Sequence, residues 1–482
     1  MCRFFFLAGN ANARLPPRKF ITTILLTPLA LWAAACDAEP EPDDLGDRGE
    51  LDGRGDRDPP DRAALIDLVR DRIADEDIEP LPPAPAVSEP MYALGQALAF
   101  DKLLSGNGNI SCLTCHHPQV GSDDDRALPR GEGGVGLGHE RSGGPIVPRN
   151  APALFNLHTF ETMFWDSRVQ HGRDGSLRTP AGDQITPQME AVFEHGLVSA
   201  QAMFPVTSRE EMRGRPGDNE LADIPDEDFS AIWAALMDRL GAVPQYVDMF
   251  ETAYPGTTFD DMTFAHAANA IAAFEIAAFE SRDSNWERFV AGDDEALDDE
   301  QLQGARLFFQ HCARCHSGSA FSDFRHHNTG LAQFGPGKGD GPTGIDDFGR
   351  EQVTGDPDDR YAFRTTPLFN VELTGPYGHA GQFAELSDHI AHYVDPARSL
   401  REYDVSAHVD EEALWPLVLD NVEAILATLS RRTAARIRGP GDEPVQLIER
   451  FLESLTGDGA TDPSARADLV PPSVPSGLPV ED

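Results

Sequence analysis

The sequence predicts an all-α fold made of two similar units with loop-rich insertions. Helical spacing of apolar residues recurs from residue 63 to residue 455, and no run of alternating strand type interrupts it. The string Cys-x-x-Cys-His occurs twice, and a second short segment follows each copy in similar form. These observations together indicate that one helical unit was duplicated.

The two Cys-x-x-Cys-His strings are Cys112–His116 and Cys312–His316. This pattern attaches a c-type haem, because two thiols one helical turn apart bond to the porphyrin vinyl groups and the following His binds the iron. A zinc site of four thiolates or a redox-active Cys-x-x-Cys pair does not require that His. We therefore predict two covalently bound haems, with the attaching and iron-binding residues Cys112, Cys115, His116, Cys312, Cys315 and His316.

The N-terminus has the pattern of an export signal. Basic residues precede an apolar run over residues 20–35, and small residues lead into Cys36. We predict a signal peptide over 1–36, of lipoprotein type, with Cys36 as a lipid anchor; ordinary cleavage near Ala35 is the alternative. Because c-type haem is attached outside the cytoplasm, the expected location is the periplasm or cell envelope, with membrane contact only through that anchor.

The chain is strongly acidic, with 81 acidic and 39 basic residues and a net charge of −42. This balance argues against nucleic-acid binding, which needs a basic surface, and is compatible with a basic protein partner. Residues 37–62 contain few apolar residues, so we predict a disordered acidic linker there. A disordered tail is predicted over 456–482 for the same reason.

Between these segments we predict an N-terminal domain over 63–260 and a C-terminal domain over 261–455. Single helices are expected over residues 63–73, 91–100, 262–290, 298–312, 383–393, 411–429 and 444–455, and more than one helix is expected within residues 226–254. Segments 117–149 and 326–360 are rich in Gly and are expected to be loops.

A second repeat follows the haem strings. The segment from Arg149 to Asn156 resembles the segment from Arg364 to Asn370, and Trp165 and His379 follow their Asn at the same distance. A repeated segment in the same order after a repeated haem string favours duplication of one haem-bearing unit.

With its haem strings and the segments below, the chain resembles the bacterial di-haem cytochrome c peroxidase and MauG superfamily. The further resembling segments are Arg149–Pro152, Phe164–Arg168, Ala270–Phe279 and Thr374–Gly381. The resemblance implies two cytochrome c-like domains facing each other, with a calcium ion between them. It also implies that the N-terminal haem is the peroxide site and that the C-terminal haem transfers electrons.

The resemblance implies several site residues. Trp165 is the Trp between the two haems, and the calcium ligands are Asn150, Thr374 and Pro376. For the acid over the peroxide haem the closest match is Glu211, with Glu190 as the alternative. His139 falls where some members hold a loop His that closes this haem in the resting state.

The ligand opposite His316 is expected from the helix over 383–393. The last of the nine Met residues is Met262, so no Met follows the second haem string. Tyr393 matches the position of the Tyr ligand of MauG-type members and is preferred, followed by His392 and then His389.

The resemblance implies an exported enzyme that reduces hydrogen peroxide to water with electrons from a small donor protein, a cytochrome c or a cupredoxin. Two alternatives stay open: a MauG-type enzyme that oxidises a protein side chain, and a di-haem electron carrier without enzymatic activity.

Overall fold

The computed structural model describes residues 61–433, 437 and 441–480. The predicted signal peptide and the predicted linker up to residue 60 lie outside these residues. The described chain is mainly helical. Its helices are α1 (Arg62–Asp75), α2 (Glu89–Phe100), α3 (Cys112–Cys115), α4 (Pro187–Glu190), α5 (Leu197–Ala202), α6 (Phe229–Gly241), α7 (Pro244–Ala253), α8 (Phe264–Ala278), α9 (Asn285–Val290), α10 (Asp299–His311), α11 (Glu351–Thr354), α12 (Leu386–His392), α13 (Pro396–Glu402), α14 (Val405–His408), α15 (Val422–Ala427), α16 (Glu443–Glu453), α17 (Asp458–Thr461) and α18 (Pro463–Ala467).

Some of the loops contain short antiparallel strands. They are β1 (Gly134–Val135), β2 (Ser142–Gly143), β3 (Thr162–Met163), β4 (Val169–His171), β5 (Leu177–Arg178), β6 (His326–His327) and β7 (Phe363–Arg364). β1 pairs with β2, β4 lies between β3 and β5, and β6 pairs with β7. These strands are too short to form a sheet with its own core, so the all-α prediction describes the fold correctly apart from them.

Two main hydrophobic cores organise the described residues. The first core is centred on α2, α5 and α8, with Leu94, Ala200 and Phe274 fully buried. α8 is apolar on nearly all sides, as expected of a helix surrounded by protein. It is 15 residues long, and no helix of the described residues is both long and apolar enough to cross a membrane.

The second core is formed by α1, α9, α10 and α16, with Trp286, Phe308 and Phe451 at its centre. These three aromatic rings pack mainly edge to face or tilted, with ring centroids of Trp286 and Phe451 5.3 Å apart. α10 begins at a capping box in which Asp298 and Gln301 satisfy each other's backbone N–H groups. The cap fixes the start of the helix that leads into Cys312.

Each of the two cores contains a close helix crossing of the same kind. A Cβ atom at Gly95 in α2 would lie 1.9 Å from the backbone oxygen of Ala270 in α8. A Cβ atom at Gly304 in α10 would lie 1.9 Å from the backbone oxygen of Leu447 in α16. In each crossing the residue four positions further along the partner helix is a Phe, Phe274 or Phe451, which also meets the glycine. The same glycine contact between two helices, with a Phe on the partner helix, occurs before each haem string and supports the inferred duplication.

The predicted boundary between residues 260 and 261 is wrong. α8 follows that boundary but packs into the first core, and α1 precedes the first haem string but packs into the second core through Leu65 and Val69. The error has a physical origin, because apolar periodicity shows that a helix is buried but does not show against which core.

The prediction of a disordered tail is also wrong for the residues described. α17 and α18 follow α16, and Ala460 and Val474 are buried in the first core. The hydroxyl of Ser476 donates to Asp101 at 2.7 Å, which anchors the polar tail to the end of α2. Low hydrophobicity predicted disorder, but a few apolar residues and specific hydrogen bonds are enough to hold this segment on a preformed surface.

Two predicted helices are interrupted. The helix predicted over 262–290 breaks between α8 and α9, where Ser284 caps the new helix. The helix predicted over 411–429 becomes a 3-10 segment that contains Pro416, followed by α15. Ser at an N-cap and Pro inside a helix are the local signals for both breaks.

Candidate functional site

The first haem string forms the short helix α3. Ser111 and Thr114 cap it reciprocally, and Nδ1 of His116 lies 3.3 Å from the carbonyl oxygen of Ser122. Because a carbonyl only accepts, Nδ1 carries the proton and Nε2 is the nitrogen left for iron. Burial lowers the pKa of His116 to about 4, so the ring is neutral, as a metal ligand must be.

The second haem string follows the end of α10 and has the same local geometry. Nδ1 of His316 lies 2.9 Å from the carbonyl oxygen of Phe321, and burial lowers the pKa of His316. In both strings a loop carbonyl fixes the imidazole, which is how outer-shell contacts orient a haem ligand.

The arrangement of thiols fits two haems rather than one zinc cage. Cys112 and Cys115 pack against the first core and Cys312 against the second. Among the described residues, only Cys315 belongs to a group with metal-ligand spacing, with Asp323 and His327, whose ligand atoms lie within 4.8 Å of one another. If the sulfur of Cys315 is bonded to a porphyrin, it is no longer available as a ligand for a metal ion in this group.

A cavity of about 250 Å³ lies beside the second haem string. Its walls contain both thiols and His316 of this string, together with apolar side chains such as Phe308, Ile390 and Leu452. Two thiols, a neutral imidazole and an apolar wall are the features that a covalently bound haem requires, so the residues present fit this cofactor.

Four residues predicted from the resemblance also line this cavity. They are Asn150, Trp165, Thr374 and Pro376. The indole N–H of Trp165 donates to the backbone oxygen of Asn150 at 2.9 Å. The amide nitrogen of Asn150 donates to the backbone oxygen of Arg126 at 3.0 Å, which leaves its Oδ1 atom for a cation.

The structure distinguishes the two candidate acids. Glu211 lies in a π-helical turn, Arg209–Arg213, and is partly buried, and its charge acts on both Cys112 and Cys115. Burial raises the pKa of Glu211, against the opposing effect of Arg168, Lys338 and the Ser208 hydroxyl. Glu190 is exposed at the end of α4. Of the two carboxylates, Glu211 therefore lies in the environment that acid–base chemistry needs.

Of the three candidate ligands opposite His316, two line the cavity. Tyr393 and His389 are both in its wall, and Nδ1 of His389 is buried without a hydrogen-bond partner. Both nitrogens of His392 are engaged instead, with the Ser399 hydroxyl at 2.9 Å and the Thr329 carbonyl at 2.8 Å. His392 is therefore the least suitable of the three, and Tyr393 and His389 remain.

His139 is not brought to the first haem string. Its Nε2 atom pairs with Asp125 at 2.8 Å, and 58% of its side chain is exposed. It lines a polar cleft with acidic residues such as Glu385 and Asp410. In this conformation His139 is a surface residue, so closing the first haem would require the Gly-rich loop to move.

A buried ion network connects the two halves of the chain. Arg149 donates to Asp347 through two nitrogens, at 2.7 and 2.8 Å, and to Asp166 at 2.6 Å. All three residues are at least 90% buried. Sequence reasoning missed Asp347, because it lies in the Gly-rich segment 326–360, where an acidic residue gives no periodic signal.

Sequence reasoning also missed Glu275. This residue of α8 is 5% exposed, and its Oε2 atom has no hydrogen-bond partner. Burial raises its pKa to about 8, and its charge acts on Cys112. The signal in the sequence was a single acidic residue within the apolar helix Phe264–Ala278.

Comparison with known proteins identifies the family. A model described as di-haem cytochrome c peroxidase matches residues 89–295. Cytochrome c551 peroxidase of Pseudomonas aeruginosa is 32% identical over 306 residues, which span 63% of this chain and 72% of that protein. The chain belongs to the di-haem cytochrome c peroxidase family. It is therefore a peroxidase-type oxidoreductase with haem cofactors.

Two other similarities agree with this family assignment. Methylamine utilization protein MauG of Methylorubrum extorquens is 30% identical over 317 residues, covering 65% of this chain and 71% of that protein. A solved structure of a MauG-like protein associated with microbial copper homeostasis is 25% identical, with a TM-score of 0.56. It covers 80% of this chain and 97% of its own. The di-haem peroxidase family thus accounts for the helical fold as well as the haem strings.

Proposed function

We propose that the chain reduces hydrogen peroxide to water at the haem attached by Cys112 and Cys115. The observation that carries this proposal is the position of Glu211, a partly buried carboxylate that acts electrostatically on both of these thiols. A haem bound there supplies an iron centre that accepts peroxide and stores oxidising equivalents. The protein must then supply a proton acceptor and donor near that iron.

Glu211 performs this proton transfer. Its carboxylate would accept one proton from the peroxide and return it to the oxygen that leaves as water. Burial raises its pKa toward the working pH, while Arg168 and Lys338 keep the ionised form accessible. A carboxylate with these opposing influences can both accept and donate a proton, which this reaction requires.

In the cavity beside His316, the residues Cys312, Cys315 and His316 would hold the second haem, which would supply a store of electrons for the peroxide site. Trp165 lies in the wall of that cavity and its indole is fixed by the hydrogen bond to Asn150. A rigid aromatic side chain in this position suits electron transfer between two cytochrome c-like domains. The electron donor is a small redox protein, and the acidic surface of the chain favours a basic one.

Two further parts of the proposal concern calcium and location. Asn150, Thr374 and Pro376 line one cavity, and the side-chain oxygen of Asn150 with the backbone oxygens of the other two would form an oxygen ligand set of the kind that suits Ca²⁺. The sequence pattern before Cys36 supports the proposal that the chain is exported and lipid-anchored, in the periplasm or cell envelope.

The proposal is tested by substitution of the two candidate acids. Glu211→Gln should lower peroxidase turnover by about 10²–10⁴, the range for a lost general acid–base group, while both haems stay bound. Glu190→Gln, at an exposed carboxylate, is the matched control and should retain the wild-type rate. Steady-state oxidation of a reduced c-type cytochrome by peroxide measures both variants. An unchanged rate in the Glu211 variant would remove this residue from the mechanism.

A second candidate function is oxidation of a protein side chain, as in a MauG-type enzyme. Tyr393 in the cavity wall favours it, because an anionic phenolate ligand would give the second haem a low potential. Such a haem would share oxidising equivalents with the first instead of supplying electrons to it. A non-enzymatic carrier is the third alternative, and its haem spectra would not respond to peroxide.

A further inference from the structure

Arg364 is a buried cation in the wall of the cavity beside the second haem string. It begins the repeated segment that ends at Asn370, and its side chain is 4% exposed. Strand β7 holds its backbone, which donates to the carbonyl oxygen of Trp165 at 2.8 Å. The guanidinium therefore comes from a fixed backbone position next to the residue between the two proposed haems.

The hydrogen-bonding groups of Arg364 are only partly used. Its Nε atom donates to the backbone oxygen of Phe164 at 3.1 Å, and its guanidinium carbon lies 5.1 Å from the centre of the Phe160 ring. Its Nη1 atom is buried and has no hydrogen-bond partner. Among the described residues no carboxylate forms an ion pair with Arg364; Asp166 acts on it only at longer range.

The matching position of the first repeat shows the contrast. Arg149 begins that repeat and is equally buried, but its guanidinium contacts the carboxylates of Asp347 and Asp166. Burying a charge without a partner costs desolvation free energy, on the order of several kcal/mol for each ion. Arg stays charged because its pKa, which burial lowers to about 10, remains above neutral pH.

Two other cations of this cavity, His327 and Arg432, have a carboxylate partner, and Arg314 is exposed to solvent. His327 pairs with Asp323 at 3.0 Å, and Arg432 lies 3.6 Å from the same carboxylate. Arg364 thus differs from them in having a buried, unused donor and no nearby carboxylate among the residues described. An anionic group from outside the polypeptide would complete its environment.

We propose that Arg364 binds a propionate carboxylate of the second haem. The inference rests on the second haem of the proposed function. The propionates are the anionic groups of a haem, and the planar guanidinium fork matches a carboxylate. A cation held against the haem also favours the reduced iron, so Arg364 raises the reduction potential of the electron-transferring haem relative to the same site without it.

The test compares Arg364→Gln, Arg364→Lys and the control Arg350→Gln in the purified di-haem protein. Arg350 is a neighbouring cation whose nitrogens donate to the backbone oxygens of Asp166 and Ser167, at 2.8 and 3.0 Å. Redox titration followed by absorbance gives the potential of the second haem. Resonance Raman spectroscopy gives the propionate bending band. Neither measurement depends on peroxide turnover, so a failure of the peroxidase proposal would not be confused with a failure of this one.

Arg364→Gln should lower the equilibrium constant for reduction of the second haem about tenfold, or about 59 mV for a one-electron couple, and shift its propionate band. Arg364→Lys should shift the band but retain most of the potential, because the charge stays. Arg350→Gln should change neither. A folded Arg364→Gln protein with both haems and unchanged potential and band would overturn the proposal. If that variant does not fold, an unchanged propionate band in Arg364→Lys would overturn it.

Discussion

Glu275 is the least expected acidic residue of the first core. It is buried in α8, and its pKa is raised to about 8 from the usual 4.5. The folded protein therefore binds one proton more than the unfolded chain between these two values. Stability is highest below pH 4.5 as far as this group is concerned, and falls as pH rises through the window.

Glu275→Gln should remove this pH dependence. Between about pH 4.5 and pH 8 the wild type should lose roughly 1.4 kcal/mol of unfolding free energy per pH unit relative to the variant. Denaturant unfolding at pH 5 and at pH 9 measures the difference, with Glu190→Gln as an exposed control. If the difference in unfolding free energy between the wild type and Glu275→Gln is the same at both pH values, Glu275 is not neutral in the folded protein.

Tyr393 and His389 can be separated by paired substitutions. If Tyr393 binds the iron opposite His316, Tyr393→Phe should abolish the low-spin electron paramagnetic resonance signal of the second haem and raise its potential. His389→Gln should leave that signal in place, since His389 would then only line the cavity. The reverse pattern, a loss in the His389 variant alone, would assign the ligand to His389.

The paired helix crossings depend on glycine. At Gly304 a Cβ atom would meet backbone of α16, which cannot move independently of its helix. Gly304→Ala should therefore destabilise the protein by about 1–3 kcal/mol, as overpacking does, although Ala is otherwise the better helix former. Thermal unfolding measures this cost.

Gly241 in α6 provides the control for that substitution. The three atoms nearest to a Cβ atom there all belong to the Phe259 ring, the closest at 2.9 Å, and a side chain can adjust more easily than backbone. Gly241→Ala should change stability by less than about 1 kcal/mol. Equal effects at Gly304 and Gly241 would mean that the α10–α16 crossing is looser than the structure indicates.

Most elements of the fold could be predicted, because helix formation is a local property. The helix over 91–100 and the helix over 444–455 agree with α2 and α16 to within two residues. Assignment to a core could not be predicted, as α1 shows, since it depends on contacts between distant parts of the chain. The tail was missed because its order depends on a surface that forms elsewhere.

The site was predictable where its residues lie in a fixed local pattern. The haem strings are such patterns. The buried acidic residues Asp347 and Glu275 carry no spacing signal. Arg364 begins the repeated segment, but the repeat does not show that its guanidinium lacks the carboxylate partners of Arg149. His392 was considered as an iron ligand because it follows His389 by three residues on the same predicted helix, but its nitrogens contact Ser399 and Thr329.

At the scale of the whole molecule, the buried ion network of Arg149 connects the N-terminal and C-terminal halves of the chain through polar contacts. Asp347 of the C-terminal half and Asp166 of the N-terminal half contact the same guanidinium. Removing one partner of such a buried pair leaves a charge without compensation. The network therefore fixes the loops that carry Asn150 and Trp165, as the proposed electron transfer through Trp165 would require.

The central proposal is that this chain catalyses two-electron reduction of peroxide. Its most direct test is the stoichiometry of donor oxidation by the purified protein with both haems bound. Measured by absorbance with limiting peroxide, each hydrogen peroxide should oxidise two molecules of a one-electron donor, and water should be the product. Haem spectra that do not respond to peroxide, or donor that stays reduced in its presence, would contradict the account.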